Sequence, residues 1–394
     1  MILGPNADSF RKLGSVLIPL WKQIQARVAA ADPADDWSIS LYPDGHPFAF
    51  TLVHDADGAY SRRLSPLFDA FDGVGLKITA TAFMFWADWA KDGRIWNDWK
   101  KTESSGEIFF APQCVPLADD TEREFYMELS RRGHEIGMHT PSETSSTRPE
   151  IVRGFEFFKQ VFGSYPTVYV EHSGSTKKDA QRSEGSTPES TYYNTDLLNS
   201  YGPWVWLDDF WGVPHNRHAR FYDIIAANGS PFNDVAPKQY GILKAFLRTG
   251  KWAEGDGDGF LAWYSEENID SLEKNRGIAL VYTHLDKKWL DPETKKIRTA
   301  IRDRLRYLTS KNGWFVPAGT ILDRVQAVQK IKLYFKRRYL RVANTGSEVV
   351  KGLTLISKKR RSLRCGHLVL NPTSGGEIVV GVIQPGETIS FKIV

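Results

Sequence analysis

Phe48-Ala-Phe-Thr-Leu-Val-His-Asp-Ala-Asp-Gly58 is the stretch on which the fold turns. An apolar, β-prone run stops at two aspartates and a glycine, residue types that end strands. Side chains alternate along a strand, so Asp55 and Asp57 project to one side while His54 and Ala56 project to the other. Two close carboxylates resist joint ionisation unless a cation neutralises one of them. The strand end therefore reads as a site where one carboxylate holds a metal and the other takes a proton. An ordinary alternative is that both aspartates cap a helix beginning near Tyr60.

A second segment, Arg131-Arg-Gly-His-Glu-Ile-Gly-Met-His-Thr-Pro-Ser-Glu143, follows an amphipathic helical pattern over 121–132. It reads as helix, glycine turn, short strand and then site. His139 and Glu143 are four apart, which brings them to one face of a helical turn as two ligands of one metal. Thr140-Pro-Ser-Glu143 also fits a capping box, which would give Glu143 a structural job instead.

Together with a late Thr283-His-Leu-Asp286, these segments resemble the polysaccharide deacetylase (NodB-homology) family of carbohydrate esterases. The stretch from Gly133 to Thr140 is the most specific match, and the likeness runs from about Phe48 to Val325. The resemblance implies Asp55 as the base, Asp57 and His139 as metal ligands and His284 as the general acid. Three departures stand out. An adjacent Asp-Asp pair is replaced by Asp-Ala-Asp, which leaves open which carboxylate has which job. Glu143 stands where a second histidine is expected, so either it or His172 completes the ligand set. The family's Arg-x-Pro segment gives way to Val168-Tyr-Val-Glu-His-Ser-Gly174, where Glu171 and His172 either serve the site or pair with each other. Zinc accepts mixed oxygen and nitrogen ligands and is the expected metal, with manganese or magnesium as harder-cation alternatives.

Strand-like runs at 48–53, 76–85, 167–170, 204–207, 278–282 and 314–316 alternate with helical stretches at 62–71, 121–132, 148–162 and 296–311. Alternation of this kind argues for an α/β fold with a parallel sheet or barrel. The resemblance makes that a distorted (β/α) barrel, with its site at the carboxyl ends of the strands. Past Gln329 the helical spacing gives way to short alternating strands, which predict a small all-β sandwich. The expected organisation is an N-terminal extension over 1–47, a barrel over 48–330 and a basic sandwich over 331–394. That last segment carries 12 Lys and Arg against 3 Asp and Glu, a local +9 in a chain of net +4. Its basic runs read as protection of exposed strand edges, with an anionic glycan, lipid or nucleic acid as the functional alternatives. No nucleic-acid motif interleaves them with aromatics.

Trp204-Val-Trp-Leu-Asp-Asp-Phe-Trp211 is dense in indole and carboxylate. Asp208 and Trp211 are the candidates for sugar contacts, because indoles stack on sugar faces while carboxylates bind hydroxyls. Trp204 and Trp206 share a face, and at least one of them is expected in the core. The polar stretch 173–190 predicts a loop beside His172, and Asp256-Gly-Asp-Gly259 a turn. Two cysteines, Cys114 and Cys365, exclude a disulfide framework. Residues 1–30 lack the order of a signal peptide and no run is long enough to span a bilayer. A cytoplasmic protein acting in surface-glycan biosynthesis is the resulting expectation. The activity that unites these readings is hydrolytic removal of an acetyl group from an N-acetylated sugar. A glycosidase using Asp55 and Glu171 and a catalytically silent glycan-binding barrel are the alternatives; oligomeric state is not legible.

Overall fold

The computed structural model describes residues 36–56, 61–86, 115–142, 146–170, 189, 191–206, 232–235, 243–246 and 255–394. Its strands in chain order are β1 (Trp37–Ile39), β2 (Ala49–His54), β3 (Thr79–Ala82), β4 (Glu135–His139), β5 (Val168–Val170), β6 (Trp204–Trp206), β7 (Phe232–Val235), β8 (Leu243–Phe246) and β9 (Ile278–Thr283). The C-terminal strands are β10 (Ile331–Lys336), β11 (Tyr339–Asn344), β12 (Val350–Ser357), β13 (Leu363–Cys365), β14 (Leu368–Leu370), β15 (Glu377–Ile383) and β16 (Thr388–Ile393).

Eight strands form one sheet in the order β7-β8-β6-β5-β4-β3-β2-β9, in which every pairing but β7 with β8 is parallel. The sheet curls into a distorted, open barrel. The expected strand at 314–316 contributes only a single bridge, Trp314 to Ala49. The C-terminal part is all-β and antiparallel, with sheets β10-β11-β16-β13-β14 and β1-β12-β15. Trp37–Ile39 pairs with Leu355–Ser357, so chain from the N-terminal side of residue 48 supplies an edge strand to the C-terminal region.

Strand alternation divides the core into two layers. Phe50, Leu52, Ala80, Met138, Tyr169, Val205, Ala279 and Val281 face the surrounding helices. Ala49, Val53, Val170, Trp204, Trp206, Leu280 and Tyr282 face inward. A helix that the sequence reading did not single out, Ala318–Val328, fills this inner face with Ile321, Leu322, Val325 and Val328. Trp204 Nε1–H donates to Asp323 Oδ1 of that helix at 2.7 Å. Both Trp204 and Trp206 are buried, as expected of core residues.

Helix ends follow local chemistry. Asp119 caps Asp120–Arg131 through the Glu122 N–H at 3.0 Å, and Arg132 ends the helix. A capping box at Thr147-Arg-Pro-Glu150 opens Arg148–Phe162 over the predicted span, and Gly163 closes that helix at φ +80°. Asp256, expected in a turn, instead caps Gly257–Trp263 by accepting from the Gly259 N–H at 2.8 Å. Among the described residues no helix is long and apolar enough to cross a membrane.

Candidate active site

The inner face of the sheet carries its chemistry at the carboxyl ends of three strands. Asp55 continues the inward series Ala49, Thr51, Val53. The β2–β9 ladder extends to it, because its N–H donates to Thr283 O at 2.9 Å. His139 ends β4 on the inward parity of Glu135 and Gly137. His284 follows Tyr282 beyond β9, its N–H bonded to Gly255 O at 2.6 Å. The period of two that packs the interior therefore also aims these three side chains at one region.

Asp55 and His139 meet: Asp55 Oδ1 lies 2.9 Å from His139 Nε2, and both residues are buried. Phe83 stacks on the His139 ring with centroids 4.4 Å apart, fixing its plane. His284 is likewise buried, and its Nε2 lies 2.6 Å from Tyr282 Oη. Its Nδ1 has no hydrogen-bond partner among the described residues. Neither ring nitrogen of His284 bonds to Asp286, two residues further on. The Asp286 carboxyl is pushed up by burial, with His284 pulling the other way; its side chain still reaches solvent.

His54 projects to the opposite side of β2 from Asp55 and is fully enclosed. Leu285 N–H donates to its Nδ1 at 3.3 Å, tying the end of β2 to the chain that carries His284. Burial pushes His54 down to about 4, reinforced by His284 and opposed by Asp55. It is therefore neutral near pH 7 and acts as a backbone brace.

A carboxylate 2.9 Å from an imidazole nitrogen is placed to take a proton beside a cation that the imidazole would hold. Among the described residues no group of three or more His, Cys, Asp or Glu side chains suited to a metal occurs. Asp57, Glu143, Glu171, His172, Asp208, Trp211, Cys114 and nearly all of 173–190 lie outside the described residues. Cys365 is exposed and free.

Sequence reading missed Tyr282, Phe83 and His54. Tyr282 carried a usable signal, since it stands two before His284 and so shares its face. Phe83 carried none, because its contact with His139 crosses between neighbouring strands.

No protein-family model and no curated protein matches the sequence. Solved structures with some likeness include an allantoinase, at TM-score 0.41 and 10% identity over 75% of this chain and 95% of that one. Another is a probable polysaccharide deacetylase from Pseudomonas aeruginosa PAO1, at TM-score 0.38 and 12% identity over 71% and 93%. A family 4 acetyl xylan esterase from Clostridium thermocellum, in complex with a cobalt ion, gives TM-score 0.27 and 13% identity over 63% and 96%. Likeness at this level says nothing of the chemistry.

Proposed function

We propose that this site belongs to a metal-dependent hydrolase that removes the acetyl group from an N-acetylated sugar of a polysaccharide or its precursor. The observation that carries the reading is the buried Asp55–His139 pair, with His284 at the end of β9, on one face of the sheet. A divalent metal, zinc by preference, would be held by His139 and Asp57 with Glu143 or His172, and would supply Lewis acidity toward the amide carbonyl. Asp55 takes the proton from the attacking water. His139 donates Nε2–H to that carboxylate when no metal is bound, keeping it oriented.

His284 protonates the departing amine, since expelling an amine anion near neutral pH is prohibitive. Tyr282 decides which nitrogen acts. With Nε2 engaged by its hydroxyl, the nitrogen that delivers a proton is Nδ1. Tyr282 is thus a positioning residue. Asp208, Trp211 and Glu171 are the proposed substrate contacts.

Two measurements test the proposal. Protein purified without chelator should contain about one divalent metal per chain, lost in His139→Ala, and should release acetate from N-acetylated chito-oligosaccharides or polysaccharide. Metal-free protein that stays so when offered zinc, manganese or cobalt would refute the metal. Shortening of the chain without acetate release would identify a glycosidase instead.

A further inference from the structure

Three basic residues of the C-terminal region do not stand where edge protection would put them. The five-stranded sheet has β10 and β14 at its edges, yet Arg341, Lys392 and Arg364 lie on its three central strands, β11, β16 and β13. Central strands have no free edge to protect. The inward parity is taken by Leu333, Phe335, Leu340, Val342, Phe391 and Leu363, which pack in the core. Outward parity is therefore a single solvent face.

Register assembles that face. Lys336 pairs with Tyr339, Tyr339 with Lys392 and Lys392 with Arg364, giving one row across four strands. Tyr334 pairs with Arg341 in the next row. Tyr334 and Tyr339 are thus diagonal neighbours on adjacent strands, within reach of each other. Both are about half exposed, at 54% and 52%. No ion pair holds any of these four cations among the described residues. Strands spaced about 4.8 Å apart set a two-ring platform between cations on either side.

We infer that this face binds an acidic polysaccharide, one bearing carboxylate, sulfate or phosphate groups. Phenol rings offer an apolar surface to sugar faces while the guanidinium groups meet the anions in pairs. A bilayer would call for apolar side chains reaching past the cations, and besides the tyrosines these rows add only Val369, opposite Arg364, whose short side chain does not reach past them. A nucleic-acid strand would call for rings spread along a track to stack successive bases, whereas the two rings here are adjacent. The inference goes beyond the proposed activity and does not depend on it.

The test uses the full chain and measures binding to polygalacturonate, neutral dextran, single-stranded oligothymidylate and phosphatidylserine vesicles. Polygalacturonate should bind best, with affinity falling as salt rises. R341E/R364E/K392E should weaken it at least about 30-fold by reversing three counter-charges. Y334A/Y339A should weaken it about 3–10-fold with the salt slope unchanged, the range expected for ring contacts. All five positions are exposed, and thermal melts check folding. Should the triple variant not fold, the tyrosine variant and the wild-type salt slope decide. Tighter binding of oligonucleotide or vesicles, equal binding of dextran, or binding of none of the four would each overturn the inference.

Discussion

One strand separates two histidine–aspartate pairs of opposite character. His134, immediately before β4, lies 3.1 Å from Asp72; His139, at the end of β4, lies 2.9 Å from Asp55. At the amino end the chemistry is saturated. Ile78 N–H donates to His134 Nδ1 at 3.2 Å, so Nε2–H donates to Asp72. Asp72 also accepts from Arg132 at 2.6 Å and pairs with Lys77. Burial raises the Asp72 carboxyl, but Lys77 and Arg132 outweigh it and hold the group below its usual range. At the carboxyl end, Asp55 instead meets the His139 imidazole, and it pulls His54 up against the depression that burial and His284 impose. Permanent cations hold the Asp72 carboxylate, whereas Asp55 meets an imidazole, a group that can itself give and take a proton. The same residue pair thus serves as a structural clamp at one end and, on our reading, as chemistry at the other.

Exchanging each aspartate for asparagine breaks the comparison most sharply. Asp55→Asn should lower kcat for acetate release on the order of 10³-fold, within the usual range for a general base, with melting nearly unchanged. Asp72→Asn should do the reverse. It strands Arg132 and Lys77 in a half-buried network, costing about 2 kcal/mol of stability, while kcat per folded molecule is retained. Equal loss of activity in both, measured by acetate release beside denaturant unfolding, would dissolve the distinction.

The acid end can be separated from the base end by leaving group. His284→Ala should slow amide hydrolysis about 100-fold and Tyr282→Phe about 10-fold, within and just below the range for general acid catalysis. Neither should slow an activated aryl acetate, whose leaving group needs no proton. A comparable loss on both substrates would make the Tyr282–His284 contact merely structural.

A smaller effect tests the clamp by pH. Burial pushes His134 down to about 4, with Asp72 opposing the shift. Below its ordinary pKa of 6.5 the unfolded chain then binds a proton that the folded chain refuses. Stability from this residue is complete above pH 6.5 and falls as pH drops toward 4, by roughly 3 kcal/mol at most. His54 acts in the same direction. In His134→Gln, unfolding free energies measured from pH 7 to 4.5 should decline less steeply than in the wild type. An unchanged slope would mean that His134 takes up its proton in the folded state.

Much of this contrast was legible in sequence because it follows from period. Strand ends at Asp55 and His139, the late strand before His284 and the span Arg148–Phe162 follow from alternation and helical spacing. The helix Ala318–Val328 was not legible. It is apolar on the side that fills the barrel, and its start is satisfied by Thr79 and Glu135, distant in sequence, in place of a local cap. Nor could the Asp72 clamp be seen, since its partners come from separate elements. The basic runs were visible, but only register put Arg341, Lys392 and Arg364 on a face.

Glu135, the first residue of β4, opposes its histidine neighbour. Gly319 N–H donates to its Oε2 at 3.1 Å and Thr79 Oγ1–H to its Oε1 at 3.2 Å, so the carboxyl caps the inner helix. Burial nevertheless pushes it up to about 7, with Asp323 adding to the push. Between its ordinary 4.5 and about 7 the folded chain holds a proton that the unfolded chain has lost. Stability from Glu135 is therefore full below pH 4.5 and declines as pH rises toward 7, opposite in sign to His134. The residue keeps some solvent contact, so the cost of the ion is discounted to about 1 kcal/mol. Glu135→Gln keeps an oxygen for the Gly319 N–H and removes the charge. It should stabilise the protein by about 1 kcal/mol at pH 8 and leave it unchanged at pH 5. A loss of stability at pH 8 would show instead that the charge itself is needed at the helix N-terminus, where its attraction to the helix dipole would exceed the cost of burying it.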